Sequence, residues 1–237
     1  SLPSGKSGDF VFQAGSDGGH NIGVFANLGQ QAFSYTQPTD YKKMNSANLP
    51  EPTILKGTDH FDTSLWAGNA GDQDITGLSF QPNMVWDKCR STTHDWQRWD
   101  SVRGVEQALR QDGDPETEWD DGLVAFNADG YSFGDNTRNN ASGHTYVGYA
   151  WKGGTAGSGS TTGSGTGKTY TSNYNATAGF SITKYTGNDT AGHTIPHSLG
   201  VTPEMIIIKA MENSGYWSVY HHNSFESAAD PNMLYLN

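Results

Sequence analysis

The chain has 237 residues, of which 34% are hydrophobic and 16% charged, with 30 glycines and a formal net charge of −11 from 14 basic and 25 acidic residues. That charge repels phosphate backbones and anionic headgroups, which excludes non-specific binding to nucleic acid or to a membrane surface; the single cysteine, Cys89, excludes an internal disulfide and a multi-cysteine metal site. No apolar run approaches the roughly 18 residues of a membrane-spanning helix, so no membrane insertion is expected, and seven Trp, eleven Tyr and ten Phe supply the apolar area that aliphatic residues do not.

The first residues, Ser1-Leu2-Pro3-Ser4-Gly5-Lys6, carry no initiator Met and no apolar run, so the chain is expected to begin inside a longer polypeptide. Alternating or β-branched runs predict strands at 10–12, 21–26, 83–87, 123–126, 131–133, 145–152, 180–185, 204–210 and 216–221. Asn127-Ala128-Asp129-Gly130, between two of these, predicts a tight hairpin. One helix is expected, over residues 101–110, with Ser101 as its cap and Val102, Val105 and Leu109 at helical spacing. Residues 153–167 are almost wholly Gly, Ser, Thr and Ala, a composition that predicts a flexible linker or exposed loop.

The chain also repeats itself. Phe80-Gln81-Pro82-Asn83-Met84-Val85-Trp86-Asp87-Lys88 aligns with residues 201–209, Pro82 against Pro203 at an offset of 121. The same offset pairs Trp96 with Trp217 and Trp99 with Tyr220, while Trp66-Ala67-Gly68-Asn69 aligns with Tyr185-Thr186-Gly187-Asn188 at an offset of 119. The alignment implies two copies of one β-rich unit, of which the second ends before the counterparts of the last strands of the first. Such a unit is expected to complete its sheet with residues beyond Asn237 or with another chain, because an open edge invites aggregation.

The segment Asn21-Ile22-Gly23-Val24-Phe25-Ala26-Asn27-Leu28-Gly29-Gln30, followed by Phe33-Ser34-Tyr35, resembles the closing strand of a SPRY-like domain, a concanavalin-type sandwich. Leu49-Pro50-Glu51-Pro52, Phe80-Gln81-Pro82, Trp99-Asp100-Ser101-Val102-Arg103-Gly104 and Tyr146-Val147-Gly148-Tyr149-Ala150-Trp151-Lys152 resemble the β-rich module that follows SPRY-like segments in virion proteins of marine tailed phages. Phe180-Ser181-Ile182, Tyr185-Thr186-Gly187-Asn188, His197-Ser198-Leu199-Gly200 and residues 203–209 resemble the second half of that module. The resemblance implies a fibre, appendage or other surface component of a phage particle, and from fibres a homotrimer.

Chemical motifs are weaker than this provenance. Gly167-Lys168-Thr169 lacks the spacing and the following helix of a phosphate loop, with Thr162 where a glycine is needed. Asp112, Asp114, Glu116, Glu118, Asp120 and Asp121 offer carboxylates for an adventitious calcium ion, although Thr117 and Leu123 stand where an EF-hand needs Gly and Glu. His193 and His197 have the spacing of two zinc ligands on a helix, which Gly192 and Pro196 argue against. Cys89 near His94 lacks an orienting group and reads as a packed thiol. Trp96, Trp99, Trp217 and Tyr220 are the aromatic side chains that could stack on sugar rings, but their pairing by the repeat also fits shared core packing.

These residues predict an all-β chain of tandem antiparallel β-sandwich-like modules with at most one short helix. Its expected parts are the end of a SPRY-like sandwich (1–50), a first β-rich repeat (51–152), a Gly/Ser/Thr linker (153–168) and an incomplete second repeat (169–237). The expected function is that of a non-enzymatic phage virion structural protein on the particle surface, without a cofactor, assembling with itself and other virion proteins and contributing to host attachment. The alternatives are a lectin-like module binding a host surface glycan and, third, a glycan-cleaving hydrolase.

Overall fold

A computed structural model describes residues 31–36, 39, 49, 51–111, 113–224 and 234–236. The expected strands at 10–12 and 21–26, and with them most of the SPRY-like segment, lie outside the described residues. Two compact units divide the chain, Ser1–Pro52 and Thr53–Asn237, and the second holds nearly all of the described residues.

The second unit is all-β, as the alternating runs predict. Its strands are β1 (Phe61–Ala67), β2 (Gln73–Thr76), β3 (Met84–Cys89), β4 (Gln97–Asp100), β5 (Gly104–Arg110), β6 (Thr117–Glu118), β7 (Leu123–Asn127), β8 (Gly130–Phe133) and β9 (Thr145–Trp151). They continue with β10 (Thr155–Ser160), β11 (Thr162–Gly163), β12 (Thr169–Asn175), β13 (Phe180–Tyr185), β14 (His193–Thr194), β15 (Met205–Ile208), β16 (Ser218–His221) and β17 (Leu234–Tyr235). The one α-helix among the described residues is a single turn, α1 (Thr137–Asn140), capped by the Asn136 side chain.

A six-stranded antiparallel sheet, in the order β1-β9-β3-β4-β5-β6, faces a three-stranded sheet, β2-β8-β7. Between them lies a core of aromatic rings: Trp66 stacks on Phe133 and Tyr146, each at 5.4 Å between ring centres, and Tyr131 meets it edge-on at 6.1 Å. Period-two alternation makes this face, since Val85, Asp87 and Cys89 of β3 and Tyr146, Gly148 and Ala150 of β9 all point inward. Gly148 is small because Tyr131 is large: a Cβ there would overlap the Tyr131 hydroxyl. The rings bury the apolar area that the scarce aliphatic residues cannot.

Two expectations need correction. Residues 101–110 form a turn and a strand rather than a helix, because Asp100, not Ser101, does the capping: its Oδ1 accepts from Val102 N (3.1 Å) and Arg103 N (2.9 Å). Gly104 then takes φ of +108°, which reverses the chain into β5. The expected hairpin at 127–130 is present, with Asn127 paired to Gly130, and neither turn residue, Ala128 or Asp129, adopts a positive φ. Gly130 is required instead by close approach, since a Cβ there would overlap the Ile75 carbonyl oxygen.

The second correction is the linker. Residues 155–160 are β10, paired along their whole length with β12 from Thr155↔Tyr174 to Ser160↔Thr169. Tyr174 and Tyr170 lie against the faces of Gly157 and Gly159, so the partner strand supplies the apolar cover that the Gly/Ser strand lacks. Thr161 and Lys168 close the hairpin with reciprocal bonds, Thr161 N to Lys168 O (2.7 Å) and Lys168 N to Thr161 Oγ1 (2.8 Å). The Lys168 backbone is thus part of a strand turn and does not line a phosphate loop.

The internal repeat is carried into three dimensions. At the offset of 121, β3 becomes β15 and β4 becomes β16, and the pairing Met84↔Asp100, Val85↔Trp99 recurs as Met205↔His221, Ile206↔Tyr220. Ser101 N donates to Asn83 O in the first copy (2.9 Å), and His222 N donates to Glu204 O in the second (2.9 Å). At the offset of 119, β13 begins on Phe180 where β1 begins on Phe61. β17 lies beside β16 as β5 lies beside β4.

Candidate functional site

The four aromatic residues singled out from sequence do not form one platform. Trp99 is wholly buried, packed edge-on against Trp119 and Phe133, and has no face for a ligand. Trp217 is buried too: its Nε1 donates to Arg110 O (2.9 Å), and its ring covers the Arg98 guanidinium, which Trp86 covers at 4.7 Å from its ring centre. Burial pulls Arg98 down to about 10. Trp96 is half-buried and stacks on Tyr149 at 5.5 Å. Tyr220, the counterpart of Trp99, is 38% exposed, because no described sheet lies over β16 as β2-β8-β7 lies over β4. Trp217 instead fastens the second copy to the first, together with the bonds from Glu116 N to Met211 O (2.7 Å) and Gly215 N to Gly113 O (2.8 Å).

Two carboxylates of the acidic loop are used internally. Glu116 pairs with Arg103 (3.0 Å), Asp114 with Arg110, and among the described residues no three metal-ligating side chains converge; Asp112 lies outside them. Of the carboxylates offered for an adventitious calcium ion, Asp114 and Glu116 are thus engaged in ion pairs. Arg103 is buried and its donors are spent on Asp100 Oδ2 (2.5 Å), Glu116 Oε2, Gln107 O (2.7 Å) and Arg98 O (2.8 Å), which ties the loop to the sheet. His193 Nδ1 is engaged by Asn188 (2.8 Å) and His197 Nδ1 accepts from Leu199 N (3.3 Å), and among the described residues neither ring belongs to a group of three metal-ligating side chains. Cys89 is a buried free thiol.

Asp87 is a feature that sequence reading passed over. It is wholly buried on β3; its Oδ1 accepts from Trp99 Nε1 (2.6 Å) and its Oδ2 from Asn139 Nδ2 (2.5 Å). Burial pushes its carboxyl up to about 7, against the pull of the two donors. Trp99 and Asn139 are wholly buried as well, so no substrate reaches this carboxylate. It pins β3 to β4 and to α1.

The remaining site is an aromatic groove. Phe61, Trp151 and Phe180 line it together with Lys56, Thr58 and His60, around a volume of about 640 Å³, within the range of small-ligand sites. Trp151 packs against Phe61 at 5.0 Å and stacks on Phe180 at 6.1 Å with their planes 17° apart. Phe61 and Phe180 open β1 and β13, so equivalent residues of the two copies flank one Trp. His60 Nδ1 lies 2.9 Å from Asn175 Nδ2, which donates to it and leaves the ring proton on Nε2. Apolar rings edged by an amine, an imidazole N–H and a hydroxyl suit a ligand with both C–H faces and hydroxyls, as a sugar has. Sequence reading missed this groove, yet the 119 offset contains it, five residues upstream of the Trp66 and Tyr185 pair.

The family described as "Domain of unknown function (DUF7483)" matches residues 56–237, so the chain belongs to that family. No curated protein matches the chain, and no solved structure matches it.

Proposed function

We propose that this DUF7483-family chain is a non-enzymatic structural protein of a phage particle, part of a fibre or surface appendage that contributes to particle architecture and host attachment. The observation that carries the reading is the recurrence of the β3–β4 hairpin, in register, as β15–β16, docked on the first copy through Trp217 and Arg98. Modules duplicated in line and fastened to each other build length, which is what an appendage needs, and the segments around Trp99, Tyr146 and Tyr185 resemble a virion module. Self-association into a trimer then multiplies weak surface contacts into avidity. Light scattering with negative-stain electron microscopy of the purified chain tests it: an elongated trimer is expected, and a compact monomer refutes the fibre role.

A second reading is favoured by one specific observation, the groove of Phe61, Trp151 and Phe180. There the chain is a carbohydrate-recognition module. Its test is a glycan array probed with the wild-type chain and Phe180→Ala: binding that the variant loses supports it, and an array without signal removes it.

A further inference from the structure

The two copies differ in how their hairpins are completed. In the first, β3 has a neighbour on each side, β4 on one edge and β9 on the other, with Met84↔Trp151, Val85↔Ala150, Trp86↔Tyr149 and Asp87↔Gly148 in register. In the second, β15 pairs with β16 alone, and no strand among the described residues lies on its other edge. Exposure reflects this open edge together with the lack of a described covering sheet: Val85 and Asp87 are wholly buried, whereas their counterparts Ile206 and Ile208 are 41% and 47% exposed.

We propose that the open edge of β15 is an acceptor for an extended segment of β9's type, which pairs antiparallel with it as β9 pairs with β3. The chemistry of the occupant is read from the first copy: an extended segment with aromatic residues at the places of Tyr149 and Trp151 and a small residue, as Ala150, between them. By the repeat, the Trp151-like residue of the occupant stands opposite Met205, the Ala150-like residue opposite Ile206 and the Tyr149-like residue opposite Ile207. Main-chain bonds supply affinity in such strand addition and the alternate side chains supply selectivity. A second copy of this chain cannot donate its own β9, whose Tyr146 and Ala150 are wholly buried in its own sheet. The pairing does not depend on where the protein resides.

The edge geometry selects the test. His222 N donates to Glu204 O, so alternation turns the main-chain groups of Glu204, Ile206 and Ile208 toward β16 and those of Met205 and Ile207 toward the open edge. Ile207→Pro therefore removes a donor from the open edge while sparing the β15–β16 ladder. A fluorescent peptide with the sequence of residues 143–153 is titrated against the full chain by anisotropy. Saturable binding is expected, absent for a scrambled peptide and weakened about tenfold or more by Ile207→Pro. If that variant fails to fold, the wild-type chain with a peptide carrying proline in place of Tyr149 must show the same loss. No saturation up to about 1 mM, or equal binding of the scrambled peptide, overturns the proposal. So does a chain that dimerises through this edge on its own and becomes monomeric on Ile207→Pro, since the occupant is then a second β15.

Discussion

Replacing Asp87 by Asn tests the buried carboxylate directly. The group is raised from 3.8 to about 7 by burial. Its contribution to stability is fully present below the unfolded value and is lost as the pH rises toward the folded one, because the unfolded chain releases the proton first. The full loss is about 4 kcal/mol at about 1.36 kcal/mol per pH unit, of which about 3 kcal/mol falls between pH 4.5 and 8. Asn at this position still accepts from Trp99 Nε1, and Asn139, whose Oδ1 has no partner, can turn its amide to accept from the new one. The variant is thus expected to fold and to carry no such loss. Urea unfolding of both proteins across that pH range is the assay, read as the difference between them, which cancels the other titrating groups. The difference should move in favour of Asp87→Asn by about 3 kcal/mol from the acid to the alkaline end. A difference that stays flat, or that moves in favour of the wild type, refutes the reasoning that burial dominates this site.

Gly148→Ala should destabilise by about 1–3 kcal/mol through collision with the Tyr131 hydroxyl, and adding Tyr131→Phe should recover most of it in thermal unfolding; a double variant no better than the single one would show that the contact is not the cause. Arg103→Lys should cost about 3–5 kcal/mol, since it strips donors from buried Asp100 and from two carbonyls; a change below about 1 kcal/mol would mean the loop is held by other contacts. Trp66→Ala should cost about 3–5 kcal/mol by emptying the centre of the ring cluster, measured by denaturant midpoint at unchanged slope. Phe180→Ala should leave the fold of the first copy intact, as judged by near-ultraviolet circular dichroism, while removing one wall of the groove.

Strand positions were legible where one face is buried. β13 matches its sequence expectation residue for residue and β7, β8 and β9 match to within one, because alternation or β-branching marks them. The segment 101–110 misled because a turn held by Asp100 and Arg103 shows the same cap-then-apolar signature as a helix start, and only the distant partners of Arg103 decide between them. β10 was illegible because its order comes from Tyr170 and Tyr174 on another strand rather than from its own side chains. The site divides in the same way. The repeat marked Trp96, Trp99, Trp217 and Tyr220 as equivalent pairs, but burial depends on what covers each hairpin, so Trp99 is enclosed and Tyr220 is not. Phe61 and Phe180 become one groove only through Trp151, which has no counterpart in the alignment.

Two hairpins with the same pairing register in one chain pose a problem during folding. While the chain is collapsing, β3 can meet β16 in the register meant for β4, an intramolecular strand exchange of the kind that traps tandem repeats. Asp87 discriminates between the two. Paired correctly, its carboxylate receives the indole N–H of Trp99; paired with β16, Val85 would stand opposite Tyr220 and no indole would reach the acid. Ile208 occupies the corresponding place in β15, so the second hairpin carries no such requirement. A charge that lowers the stability of the finished molecule thereby acts as a proofreading mark on its assembly, and the Asp87→Asn chain, though more stable at neutral pH, should refold with more misassembled product than the wild type.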